Sequence, residues 1–273
     1  MPWPRPVPHR LDLNANFWNN PMKLIGNTIF ITGGGSGIGL GLAEAFHKLG
    51  NQVIISGRRQ DRLQAAVDAN PGMASIELDI TDPASITAAA AKLIAEHPAL
   101  NVLINNSGIM LLDQAQGVID DAVLESTIAT NLMGPIRMTS ALIEHLKRQN
   151  NAVVINVSSI LGFVPLAVTA VYSSTKAAIH SYTLSQRYRL KDSGVRVLEL
   201  APPWVQTDLL NSSREERAMP LDTFIAETMS MLGTDAEEIL VGQAQQMRAN
   251  PGPGEHAWVT QFNDIMMSGP AVG

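Results

Sequence analysis

The chain has 273 residues, 45% of them hydrophobic and 16% charged, with a formal net charge of −6. That length allows one large α/β domain or two small ones, and an acidic balance without a basic block argues against nucleic acid or an anionic membrane as the main partner. The absence of cysteine removes disulfides, thiolate zinc sites and cysteine nucleophiles, and accords with a cytoplasmic location.

No apolar run approaches the roughly 18 residues of a membrane span. Residues 1–21 carry four prolines by Pro8 and two tryptophans and lack the apolar core of a signal peptide. They read as an irregular arm: an extension, a misassigned start or added sequence. Residues 22–273 read as one domain.

Thr28-Ile29-Phe30-Ile31-Thr32 is a β-branched apolar run, the pattern of a strand buried on both faces. It ends in Gly33-Gly34-Gly35-Ser36-Gly37-Ile38-Gly39, and a helical pattern follows from Leu40 to Leu49. Strand, glycine-rich turn and helix form a phosphate-binding arrangement, in which bare backbone lets an anion approach the helix N-terminus. The spacing fits T-G-x-x-x-G-x-G on Thr32, Gly33, Gly37 and Gly39, and neither of the two commoner glycine fingerprints.

Val53 to Ser56 gives a second strand, followed by Gly57-Arg58-Arg59. Where an acid would bind an adenosine ribose 2′-OH stands Gly57, and the arginines after it suit a 2′-phosphate. The pattern points to NADP(H) rather than NAD. Ser75 to Ile80 reads as a third strand, with Pro83 suited to the first position of the next helix; Asp79 is an adenine contact or a turn former. Asn101 to Ile104 is a fourth strand and runs into the turn Asn105-Asn106-Ser107-Gly108. Such a turn can hold the neighbouring strand's backbone and face a ligand.

A helical region spans about 120–147, with Asn131 in its middle, where asparagine is a mediocre helix former. Val153 to Val157 is a fifth strand ending in Ser158-Ser159, and Val195 to Leu200 a sixth. Strands alternating with helices predict a Rossmann-like, doubly wound parallel sheet in a single domain, with ligands at the strands' carboxyl ends. Between the last two strands, Tyr172 and Lys176 stand four residues apart at the head of a helix-favouring run, on one helical face. An ammonium there would lower the phenol pKa and prepare it for proton transfer. Residues 208–233 read as a mobile lid, 234–249 as a helix and the Pro/Gly-rich tail as a loop. No histidine spacing supports a metal site.

Together these residues resemble the short-chain dehydrogenase/reductase family over Lys23 to Asp208: the glycine turn, Asn105-Asn106-Ser107-Gly108, Asn131, Ser159 and Tyr172-x-x-x-Lys176. The resemblance implies a carbonyl reductase or alcohol dehydrogenase using NADP(H). Tyr172 would be the general acid or base and Ser159 the partner of the substrate oxygen. Lys176 would lower the Tyr172 pKa and bind ribose, and Asn131 would position a relay water. It also implies cofactor contacts at Gly33, Ser36, Gly37, Ile38, Gly39, Arg58, Arg59, Asp79, Ile80, Asn106, Gly108, Tyr172, Lys176, Pro202, Val205 and Thr207. Pro203 departs from the family's Pro-Gly, and the family's final strand is not evident. Met110, Leu161, Phe163 and Trp204, with Met219 to Phe224, form an apolar candidate pocket for a carbonyl or alcohol, Leu161 and Phe163 being pocket or core. The family also implies a homodimer or homotetramer. The alternative is a non-catalytic NADP(H)-binding sensor or partner protein.

Overall fold

The computed structural model describes residues 21–249 and 252–268. The arm expected over 1–21 lies, apart from Pro21, outside the described residues.

Seven strands form one parallel sheet: β1 (Thr28–Thr32), β2 (Gln52–Gly57), β3 (Ala74–Glu77), β4 (Leu100–Asn105), β5 (Ala152–Val157), β6 (Val195–Leu200) and β7 (Glu238–Ile239). Their order is β3-β2-β1-β4-β5-β6-β7, which reverses direction between β1 and β4. Successive residues of a strand face opposite sides of a sheet. Ile29, Ile31, Val53, Ile55, Val102 and Ile104 therefore enter one core layer, while Phe30, Ile54, Leu103 and Val154 enter the other. Helices α1 (Gly37–Lys48), α2 (Gln60–Ala69) and α7 (Leu221–Leu232) cover the first layer. Helices α3 (Pro83–Glu96), α5 (Gly134–Leu146) and α6 (Ala170–Leu190) contribute to the second. The expected Rossmann-like sheet is therefore present.

At the amino ends of the strands three buried asparagines replace missing backbone partners. The β1–β4 register slips between Thr28 and Ile29, and Asn101, the residue passed over, accepts from the Thr28 N–H at 3.0 Å. Asn51 accepts from the Asn27 N–H at 2.9 Å, and Asn101 donates to Asn27 Oδ1 at 2.9 Å. Asp82 caps α3 through the N–H groups of Ala84 and Ser85, with Pro83 in the first turn.

Four expectations need correction. The helix expected over 120–147 is α4 (Asp121–Ile128) and α5, joined by a π-turn at Ala129–Met133 that contains Asn131. The lid expected over 208–233 is in large part fixed, because Phe224 of α7 is fully buried against the α1 layer. Gly41 of α1 is what lets α7 approach, since a Cβ there would stand 2.8 Å from Ile225 Cγ1. Residues 234–249 are not one helix: the family's last strand is present as the two-residue β7, followed by α8 (Ala244–Arg248). The tail holds a helix, α9 (Glu255–Ser268), after a short turn at Gly252–Gly254.

Candidate active site

The carboxyl ends of the strands open into one cleft of about 1170 Å³. All sixteen expected cofactor residues line it, from Gly33 in the glycine turn through Arg58, Asp79, Asn106 and Lys176 to Thr207.

The outer end is built on the glycine turn. Gly37, the first residue of α1, has φ +54°, a left-handed conformation that side-chain-bearing residues seldom adopt. A Cβ on Gly39 would stand 2.4 Å from both Asn106 Nδ2 and Gly33 O. That closeness reflects a clamp: Asn106 donates to Thr32 O at 3.0 Å and Gly33 O at 3.2 Å, and Thr32 Oγ1 accepts from the N–H groups of Asn106 and Ser107. Gly37, Ile38 and Gly39 of the first turn of α1 line the cleft and that turn carries no acidic residue, a setting in which the unpaired N–H groups of a helix start can cradle an anion. Arg58 and Arg59 are exposed just beyond β2, and Arg59 donates to Ser36 Oγ at 3.1 Å. Arg62, which spacing did not single out, joins them on the lining. Asp79 is a turn former that also lines the cleft: its Oδ1 accepts from Thr81 N and Oγ1. Those bonds, with a smaller contribution from Arg58, hold its carboxyl below the usual range despite partial burial. A Cβ on Gly37 would lie 3.5 Å from Thr207, so the loop after β6 spans the cleft despite Pro203. A bridge between Val205 and Met219 secures that loop.

The inner end is dry. Ser159, Tyr172 and Lys176 are 7%, 6% and 4% exposed. Tyr172 and Lys176 share one face of α6, with Nζ 5.5 Å from the ring centroid. Ser159 lies beside the Tyr172 hydroxyl and draws its pKa downward, and Lys176 Nζ donates to Val157 O at 2.8 Å. The expected lowering of the phenol is corrected: burial pushes Tyr172 up to about 12, with Ser159 drawing it partly back. Burial likewise pushes Lys176 down to about 8, opposed by Glu199. Removing water penalises each charged form, and that penalty exceeds the mutual help the pair can give. Tyr172 therefore stands as a neutral phenol at physiological pH, the form that gives a proton.

Asn131 does not line the cleft. Its Oδ1 accepts from Ile109 N at 2.9 Å and its Nδ2 donates to Ile109 O at 2.8 Å, with a further bond to Thr175 Oγ1. The π-turn explains how an asparagine is accommodated within a helical stretch: π-turns displace backbone locally and occur often at functional sites.

Met110, Leu161 and Trp204 line the cleft as expected, together with Met219. Phe163 and Phe224 do not. The Phe163 ring instead packs edge-on against His180 at 5.0 Å, and Phe224 belongs to the core. The apolar wall missed in the sequence comes from the tail: Phe262, Ile265 and Met266 of α9, with Met247 of α8. The spacing of Trp258, Phe262 and Ile265 at i, i+4 and i+7 was the signal for that helix. Arg217 also lines the cleft and lies over the Trp204 ring at 5.0 Å.

The family model for short chain dehydrogenases matches residues 27–218. The chain belongs to that family. A Bacillus subtilis relative, the uncharacterized oxidoreductase DltE, is 40% identical over 199 residues, covering 72% of this chain and 79% of the relative. The NADP-dependent 3-hydroxy acid dehydrogenase YdfG of Salmonella typhi is 34% identical over 177 residues, 64% of this chain and 71% of that one. A crystal structure of a Burkholderia cenocepacia short chain dehydrogenase in complex with NADP superposes with TM-score 0.77 at 26% identity, covering 87% of this chain and 99% of that one. As a short-chain dehydrogenase, the chain is an oxidoreductase. A phosphorylated dinucleotide fits its residues: a glycine-rich turn at one point, three exposed arginines beside it and a buried phenol at the far end. Among the described residues no helix is long and apolar enough to cross a membrane.

Proposed function

We propose that this oxidoreductase is an NADPH-dependent carbonyl reductase for substrates with a large apolar part, working reversibly as an alcohol dehydrogenase. One observation carries the reading: a buried, neutral Tyr172 beside Ser159, one turn before Lys176, lies in the same cleft as Arg58, Arg59 and Arg62. NADP relatives support the choice of cofactor. The three arginines would hold the 2′-phosphate, since guanidinium forks match phosphate oxygens, and the α1 N-terminus would face the pyrophosphate.

The nicotinamide, when bound, supplies the hydride. The remaining work falls to the chain. Ser159 donates to the substrate oxygen and stabilises the charge that grows there. Tyr172 O–H then delivers the proton. Lys176 in its ammonium form binds the nicotinamide ribose and favours charge development on the Tyr172 oxygen. Asn131, by clasping Ile109, fixes the Gly108–Met110 wall opposite them, and a water held near Asn131 would return a proton to Lys176. The wall of Leu161, Met219, Met247, Phe262, Ile265 and Met266 would accept an aliphatic or aromatic substituent. Apolar side chains exposed on α6 (Leu184, Tyr188) and on the π-turn before α5 (Met133) support a homodimer or homotetramer.

The test is a fluorescence titration with NADPH and NADH, then a panel of apolar ketones and aldehydes with the preferred cofactor. Tight, NADPH-selective binding with oxidation on the panel supports the reading. Selective binding without turnover on any carbonyl would make the chain a cofactor-sensing protein instead.

A further inference from the structure

β6 places a carboxylate where its pattern calls for an apolar side chain. In Val195-Arg196-Val197-Leu198-Glu199-Leu200, Glu199 shares a face with Val195 and Val197. It is fully buried and does not line the cleft. An unpartnered charge there would be strongly destabilising, so its partners define its role. One oxygen accepts from the Ser158 hydroxyl at 2.5 Å. The other accepts from His180 Nδ1–H at 2.7 Å; a carboxylate has no proton to give, so Nδ1 must carry one.

Both partners adjoin catalytic groups. Ser158 immediately precedes Ser159, and His180 stands one turn beyond Lys176 on α6. Lys176 Nζ returns to the same strand end by donating to Val157 O. Glu199 thus joins the end of β5 to α6 directly behind the inner site.

We infer that Glu199 is a positioning residue for Lys176 and Ser159, and that its negative charge keeps Lys176 in the ammonium form the reaction requires. The inference rests on the reductase reading for its catalytic consequence, though the charge coupling stands without it.

The surrounding charges are few. Ser159 and Tyr172 are neutral. On the outer side, Glu238 of β7 is engaged by Arg248 of α8 at 2.8 and 3.1 Å, with Arg187 of α6 beyond it. The ligand atoms of His180, Glu199 and Glu238 lie within 4.8 Å of one another, as around a cation, but the Arg248 guanidinium already serves Glu238. Arg248 also feels the Glu199 charge, so Glu199 is shared among Lys176, His180 and, more weakly, Arg248. Burial lowers Lys176 and Glu199 is the influence opposing it.

The experiment follows the lysine side-chain carbons by NMR in isotope-labelled protein across pH, with Lys176 assigned through Lys176→Met. Glu199→Gln keeps the shape and removes the charge, so the Lys176 midpoint should fall by about one pH unit or more. Arg248→Gln, at a partly exposed position, removes a cation that shares the Glu199 charge with Lys176 and should move the midpoint upward. An unchanged midpoint in folded Glu199→Gln overturns the inference; if that variant does not fold, an unchanged midpoint in Arg248→Gln overturns it. In turnover, the falling alkaline limb of kcat/KM should move to lower pH in Glu199→Gln. A loss of equal size at every pH would reduce Glu199 to packing alone. The NMR reading needs no substrate, so a wild-type protein without carbonyl reduction would sink the reductase reading and leave the coupling separately decided.

Discussion

The two ends of the cleft are built on opposite electrostatic terms. At the outer end Arg58, Arg59 and Arg62 stand in water, where their charges are screened; in the proposed role they would choose between cofactors, but they cannot be tuned far. At the inner end Tyr172, Lys176 and Glu199 are buried, and loss of water moves the first two well away from their ordinary titration ranges. Exposed charge is suited to selecting a ligand, buried charge to handling its protons.

Substitutions at the inner end should break this contrast most severely. Tyr172→Phe removes the hydroxyl proposed as proton donor and should lower turnover about 10²–10⁴-fold, with NADPH affinity by fluorescence titration nearly unchanged. Substantial remaining activity would take Tyr172 out of the acid role. At the outer end, Arg58→Ala with Arg59→Ala should weaken NADPH about 10- to 100-fold and leave NADH almost unaffected. Equal losses for both cofactors would show that the arginines do not read a 2′-phosphate.

The pH profile sharpens the comparison. Lys176 loses its proton near pH 8, so kcat/KM for reduction should fall as pH rises through that value. Tyr172 keeps its proton to about 12 and should not set the limb. A profile flat from pH 7 to 10 would mean that the ammonium is not required. The smallest effect belongs to the apolar wall: Phe262→Ala should raise KM for a bulky ketone by about five- to tenfold, with kcat close to wild type in steady-state assays.

The sequence made the outer end more legible than the inner. Glycines at fixed spacing after a β-branched run, with two arginines after the next strand, act through backbone and exposed charge, and both survive translation into structure unchanged. That Tyr172 and Lys176 share a helical face was visible in their spacing, but the direction of the phenol's shift was not, because i, i+4 neighbours say nothing about how much water is removed around them. Glu199 was visible as a charge on an apolar strand face and was not read as one. β7 escaped notice because two residues carry no periodic pattern. α9 was hidden behind Pro251-Gly252-Pro253-Gly254, whose turn chemistry describes the few residues before the helix rather than the segment they introduce.

The π-turn at Ala129–Met133 also has an effect at a distance. An ideal α-helix advances about 100° per residue, and a π-turn accommodates one residue more than its neighbours need. Deleting a single residue there would rotate α5 relative to α4 by about that angle. Met138 and Leu142 would swing out of the second core layer while Asn131 lost its hold on Ile109. The surplus residue sets the phase between two helices, so the inner wall of the cleft and the packing beneath the sheet are tied to one count along the chain.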